Sequence, residues 1–166
     1  MPLEKIISGG QTGVDRGALD AALSAGFPCG GSCPLDRKAE DGSIPDRYPL
    51  IPLARGGYRE RTQQNVLDSD GTVILVDGRL TAGRLTGGTR LTRICCQQVR
   101  EPLLTIDAAN FTAVEAAEAI VDFIHAHGIR VLNVAGPKSS AWPEAHALAF
   151  EIITRVLRDS MESDKP

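Results

Sequence analysis

Three short glycine runs stand where an extended apolar stretch gives way to a helical pattern. The first is Ser8-Gly9-Gly10-Gln11-Thr12-Gly13-Val14-Asp15. The second is Leu85-Thr86-Gly87-Gly88-Thr89-Arg90-Leu91-Thr92. The third is Asn133-Val134-Ala135-Gly136-Pro137-Lys138-Ser139-Ser140. A helix start carries unpaired backbone N–H groups and the positive end of the dipole. Glycine lets a phosphate approach that backbone closely. Gln11, Thr12, Thr86, Thr89 and Thr92 add side-chain hydrogen-bonding groups, and Lys138 adds a point charge. None of the runs is the full G-x-G-x-x-G fingerprint or a Walker loop. Any one of them could be a plain tight turn. Three at the carboxyl ends of parallel strands point to the crevice where open α/β sheets bind ligands.

Other residues are candidates to complete such a site. Residues 34–57 are rich in Pro, Gly and charge and carry no convincing element. A stretch this long in a compact domain is usually functional or mobile. It is expected to cover the crevice, with Arg37, Lys38 and Asp41 supplying contacts and Glu40 beside them. A helix over about 58–69 places Arg61 and Asn65 four apart on one face. His125 and His127 suit a helix C-terminus, and His146 is undistinguished. No Ser–His–Asp set stands out, and no catalytic residue is assigned.

Elements must alternate to present these turns. Residues 3–8 read as a strand. Val14, Ala18, Leu19, Ala22 and Leu23 follow at helical spacing, and Gly26 ends that helix. Residues 27–31 could form a second strand. Thr72-Val73-Ile74-Leu75-Val76 is a continuous β-branched run, as in a strand covered on both faces. A helix over about 88–100 and a strand over 102–106 come next. Thr112 and Glu115 form a capping box for a helix reaching Gly128. Residues 130–135 are the last strand. Pro143 suits a first helical position, and apolar pairs from Leu148 to Leu157 mark a closing helix. The tail from Ser160 is expected to fray. The order implies one α/β domain with an open, mostly parallel sheet and helices on both faces.

Composition bounds the partners. The chain has 166 residues, 42% of them hydrophobic, which fits one domain with one core. A formal charge of −3 gives no broad case for nucleic acid, although Arg79, Arg84, Arg90 and Arg93 gather locally. No stretch approaches a membrane span and no signal peptide is evident, so a cytoplasmic location is expected. Cys29, Cys33, Cys95 and Cys96 lack metal-ligand spacing, so no metal site is predicted.

The motifs together resemble a known family. The opening from Ile7 to Asp20, the Ala39-Glu40-Asp41-Gly42-x-Ile44-Pro45 loop, Tyr58-x-x-Arg61-Thr62-x-x-Asn65-Val66, Thr86-Gly87-Gly88-Thr89 and Leu132-Asn133-Val134-Ala135-Gly136-Pro137 are similar, in order, to the molybdenum cofactor carrier proteins. These are the circularly permuted YpsA-like branch of the SLOG superfamily. The resemblance implies a Rossmann-like fold, a homo-oligomer (dimer or tetramer), and the molybdenum cofactor (molybdopterin) or a nucleotide as ligand. The expected reading is a binding protein for a phosphate-bearing small molecule. The runner-up is a nucleotide-processing hydrolase, such as a phosphoribohydrolase or phosphatase; a purely structural assembly module is the third. Related phosphoribohydrolases carry Gly-Gly-x-Gly-Thr-x-x-Glu at this helix start. Here the run is one position shorter, and Thr92 stands where their glutamate would. Lys138-Ser139-Ser140 also departs from the family's Arg-Glu-Ser.

Overall fold

The computed structural model describes residues 3–163. In chain order the first elements are β1 (Lys5–Ile7), α1 (Val14–Ser24) and β2 (Cys29–Gly30). Four two-residue strands follow: β3 (Ser32–Cys33), β4 (Lys38–Ala39), β5 (Gly42–Ser43) and β6 (Ile51–Pro52). Then come α2 (Tyr58–Leu67), β7 (Gly71–Val76), α3 (Gly78–Thr81), α4 (Gly87–Val99) and β8 (Leu103–Asp107). The chain closes with α5 (Ala113–His127), β9 (Val131–Ala135) and α6 (Ala145–Ser163).

Five strands form one sheet in the order β2-β1-β9-β7-β8, with every pairing parallel. This is a Rossmann-like α/β arrangement. β7 is buried along its whole length, as its unbroken apolar run requires. Alternate residues serve opposite layers. Val73, Leu75, Leu132 and Val134 join the main core with α1, α5 and α6. Thr72 and Asn133 point the other way, and Asn133 Nδ2 donates to Thr72 Oγ1 at 3.1 Å. On that side Val66 of α2 meets Cys95 and Cys96 of α4.

The predicted ends hold where a specific residue enforces them. Thr112 and Glu115 make the reciprocal capping box of α5, and Gly128 closes it at φ 61. Two ends differ. α6 begins at Ala145 rather than at Pro143, because a turn runs through Trp142, whose amide donates to Lys138 O at 3.0 Å. The same helix continues to Ser163, past the point where fraying was expected; the residues beyond lie outside the described part. The short helix α3 had no periodic signal; Asp77 caps it by accepting from Arg79 N at 3.0 Å.

Residues 34–57 are not a bare loop. They form a strap with a small core of its own, in which Ile44, Tyr48 and Leu50 pack with Leu19 and Cys33. β3 pairs with β6, and β4 with β5. Arg37, at φ 53, turns inward and donates to Leu50 O at 3.2 Å and Pro45 O at 3.1 Å. A guanidinium thus satisfies carbonyls that a longer ladder would otherwise pair. Arg16 of α1 holds Asp41 through two bonds of 2.6 and 2.8 Å. At the far end Arg47 Nη1 and His146 Nε2 lie 2.9 and 2.7 Å from the Asp20 carboxylate. These long-range side-chain contacts tie the strap to α1 and to α6.

Candidate functional site

The first and third turns are joined backbone to backbone. Val14 N donates to Pro137 O at 3.2 Å. Gly13 sits at φ 82, and a Cβ there would strike the Pro137 carbonyl and lie 2.9 Å from Ser139 N. Only glycine allows that approach. Gly136 is equally confined, against Leu75 O and Val14. The first and third turns leave the neighbouring strands β1 and β9, the second follows α3 beyond the next strand, β7, and all three meet at the carboxyl edge of the sheet.

Between them lies a cleft of about 290 Å³, just below the usual range for small-molecule sites. Gly9, Gln11 and Asp15 line it from the first turn, and Arg61 and Asn65 from α2. Thr86, Gly87, Gly88, Thr89 and Thr92 line it from the second turn, and Gly136 and Lys138 from the third. Tyr58, Leu80, Leu85 and Trp142 add apolar walls.

The second turn is the most open part. Thr86 is the N-cap of α4, but no side chain caps that end. Gly87 is at φ 53, and a Cβ on Gly88 would meet nothing within 4 Å. First-turn amides with no side-chain cap beside open space form an anion-binding end. Thr89 is buried, lines the cleft, and its hydroxyl makes no hydrogen bond among the described residues. Thr92 Oγ1 instead donates back to Gly88 O at 2.9 Å. Arg84 lines the same wall and has no ion-pair partner among the described residues.

On the opposite wall Arg61 and Asp15 form a buried pair, with Nη1 3.5 Å from Oδ2. Arg61 Nη1 also donates to Gly9 O at 2.9 Å. Burial pushes the Asp15 carboxyl up; Arg61 and the amide of Gln11 oppose that shift. Asp15 accepts from Gln11 N at 3.2 Å, so it holds both the turn and the arginine. Asn65 is committed to structure: its amide bonds both Ser32 N and Ser32 O, at 2.7 and 3.0 Å. Asp77, the other carboxylate on the lining, is held by Arg79 Nη2 at 2.6 Å, which keeps it below the usual range.

Six expected site residues do not line the cleft. Gly10 packs against Leu50 and Ile44 of the strap, and Gly13 against the third turn. The Thr12 hydroxyl donates to Glu40 Oε1 at 2.5 Å and accepts from Ser139 N at 3.1 Å. Arg37 serves strap carbonyls, Asp41 serves Arg16, and Lys38 is exposed in β4. Sequence reasoning passed over Arg84, Asp77 and Trp142. Arg84 alone had a signal, its place in the local group of arginines around the second turn.

Among the described residues no three His, Cys, Asp or Glu are grouped to hold a metal ion. No described helix is long and apolar enough to cross a membrane.

The profile of the circularly permutated YpsA SLOG family matches residues 6–157. The chain belongs to that family. It is also similar to a crystal structure from Syntrophus aciditrophicus SB, named a "putative molybdenum carrier protein". The two share 41% identity over 94% of this chain and 96% of that one, with a TM-score of 0.88. No curated protein matches.

Proposed function

We propose that this SLOG-family chain is a binding protein whose cleft holds a phosphate-bearing small molecule, the molybdenum cofactor or a related nucleotide. The observation that carries this reading is the second turn. The first turn of α4, left without a side-chain cap, opens onto the cleft with Thr89 beside it and Arg84 on the same wall. Dipole, amides and cation there favour one anionic group. The similarity to the Syntrophus protein supplies the choice of cargo.

The lining suits such a molecule. Tyr58, Leu80 and Trp142 offer apolar surface to a flat ring, and Arg61 offers a guanidinium plane. A pterin or purine also presents hydrogen-bonding edges, which Gln11 and Asn133 on the lining can meet. Molybdenum would be cargo, carried through the pterin rather than by side chains of the protein.

The hydrolase reading gains less support. Cleaving a sugar–base bond needs a carboxylate near the ribose. Asp15 and Asp77, the carboxylates on the lining, are both paired to arginines. Thr92, in the place of the related enzymes' glutamate, is neutral and bonded to its own helix.

A homo-oligomer in the cytoplasm completes the proposal. The experiment is native mass spectrometry of the protein purified from its own host, with any released compound identified. A pterin phosphate or nucleotide is expected. A released compound without an anionic group would overturn the reading.

A further inference from the structure

Glu40 is bonded in an unusual way for a strap residue. Its Oε1 accepts from Thr12 Oγ1 at 2.5 Å and from Ser140 N at 3.1 Å. Its Oε2 accepts from Ser140 Oγ at 2.5 Å and lies 3.6 Å from Lys138 Nζ. The Thr12 hydroxyl already accepts from Ser139 N, so its own proton is directed at the carboxylate. Two hydroxyls, a backbone amide and an ammonium thus converge on one anion, and two of the three glycine turns supply them. Such a concavity of donors is how proteins hold phosphate and other oxyanions.

We propose that this nest is a second oxyanion subsite, filled in the free protein by the Glu40 carboxylate, and that a phosphate group of a bound ligand takes Glu40's place. The inference rests on the proposed cleft reading only for the identity of the ligand. Three features support it. The donors belong to the turns welded to the sheet, whereas the carboxylate belongs to the small β4–β5 hairpin. Gln11 and Lys138 lie on the cleft lining and also touch the Glu40 region, so the nest borders the cleft. A phosphate carries more charge than a carboxylate and offers more acceptor oxygens to the same donors. Hydrogen bonds from Ser140 and Thr12 keep the Glu40 carboxyl below its usual range, as expected of a site built for an anion. The ligand class follows: a small molecule with two anionic groups, one at the α4 end and one at the nest. When the second group binds, the 38–43 hairpin loses its carboxylate tie to both turns and stays joined through Asp41 to Arg16 and through Glu40 N to Gln11 Oε1.

The test uses the full chain with inorganic phosphate as the probe, titrated by calorimetry. Gly88→Asp blocks the α4 end, and Glu40→Ala is added to it. The double variant should bind one phosphate at least about tenfold tighter than Gly88→Asp alone, because a tethered competitor has been removed. Adding Lys138→Ala should erase that gain. If Glu40→Ala does not fold, Glu40→Gln keeps the shape, removes the charge and is compared in the same way. Equal phosphate affinity with and without Glu40 makes the residue a structural latch and overturns the proposal, as does a gain that survives Lys138→Ala. Unaltered phosphate binding in Gly88→Asp relative to the unmodified chain would count against the cleft reading alone. Hydrogen exchange is a separate readout: saturating phosphate should speed exchange in residues 38–43 of the unmodified chain, and an unchanged rate counts against displacement.

Discussion

Arg61 lies across Gly9, donating from Nη1 to the Gly9 carbonyl at 2.9 Å, and its guanidinium takes the space a side chain at position 9 would need. Gly9→Ala should therefore displace Arg61 from Asp15 and leave a buried carboxylate without its cation. A loss of about 2–4 kcal/mol is expected in urea unfolding. Unchanged stability would mean that Arg61 can move aside freely.

Gly88→Asp should separate binding from folding. Its Cβ meets nothing within 4 Å, so packing is undisturbed. An acidic residue in the first turn of α4 favours the helix dipole by about 0.3–1 kcal/mol. The same carboxylate would repel a ligand phosphate. The expected result is a fold at least as stable as before, with ligand affinity down about tenfold or more. Titration with the compound released from the native protein checks the second half.

Acid should loosen the strap. Arg16 holds the Asp41 carboxyl below its ordinary 3.8, and Ser140 and Thr12 hold Glu40 below its ordinary 4.5. A depressed folded-state pKa contributes stability that is complete above the unfolded value and lost as pH falls through the folded one. Protection of residues 38–43 should thus fade below pH 4.5. Asp15 has the opposite sign: burial raises its pKa, so its share is present at low pH and lost as pH rises through the raised value. Urea unfolding across this range should show a smaller acid loss in Asp41→Asn than in the unmodified chain. Identical acid limbs would remove the Arg16–Asp41 pair from the account.

Nucleoside monophosphates should not be turned over efficiently. Free base, followed by chromatography, should stay far below the common enzyme range of about 1–10³ per second. Turnover in that range, abolished by Glu40→Gln or Asp41→Asn, would favour the hydrolase.

Sedimentation at micromolar concentration should give a multiple of the 17.7 kDa chain mass. The apolar pairs of α6 pack inward: Ile152, Ile153, Val156 and Leu157 are buried within the main core. That face of α6 is therefore not available to a subunit contact. A clean monomer would end the oligomer proposal.

The turns of the cleft were legible because each carries a local signature, glycines and polar residues just before a helix, two of them directly after a strand. Thr112 and Glu115 were legible for the same reason, three residues apart on one helix end. What stayed hidden lay across the chain. Arg16 meets Asp41 at a separation of 25 residues, and Ser139 meets Thr12 at 127. No periodicity records such pairs. Arg37 and Asp41 had the chemistry of ligand contacts, but tertiary structure commits Arg37 to strap carbonyls and Asp41 to Arg16. α3 is a single turn whose cap, Asp77, follows a strand without a pattern to announce it.

The pairing of β1 with β9 bears on how the protein is made. The first strand, Lys5–Ile7, lies between β2 and a strand that leaves the ribosome more than a hundred residues later. α1 likewise waits for α6 to cover it. Contacts this distant in sequence are slow to form. During synthesis the N-terminal third has apolar positions such as Ile6, Val14 and Ala18 with no partner to bury them. Exposed surface of that kind is what chaperones bind. The nascent chain is therefore expected to need shelter until its last strand emerges, and a premature stop anywhere before β9 should yield an insoluble product.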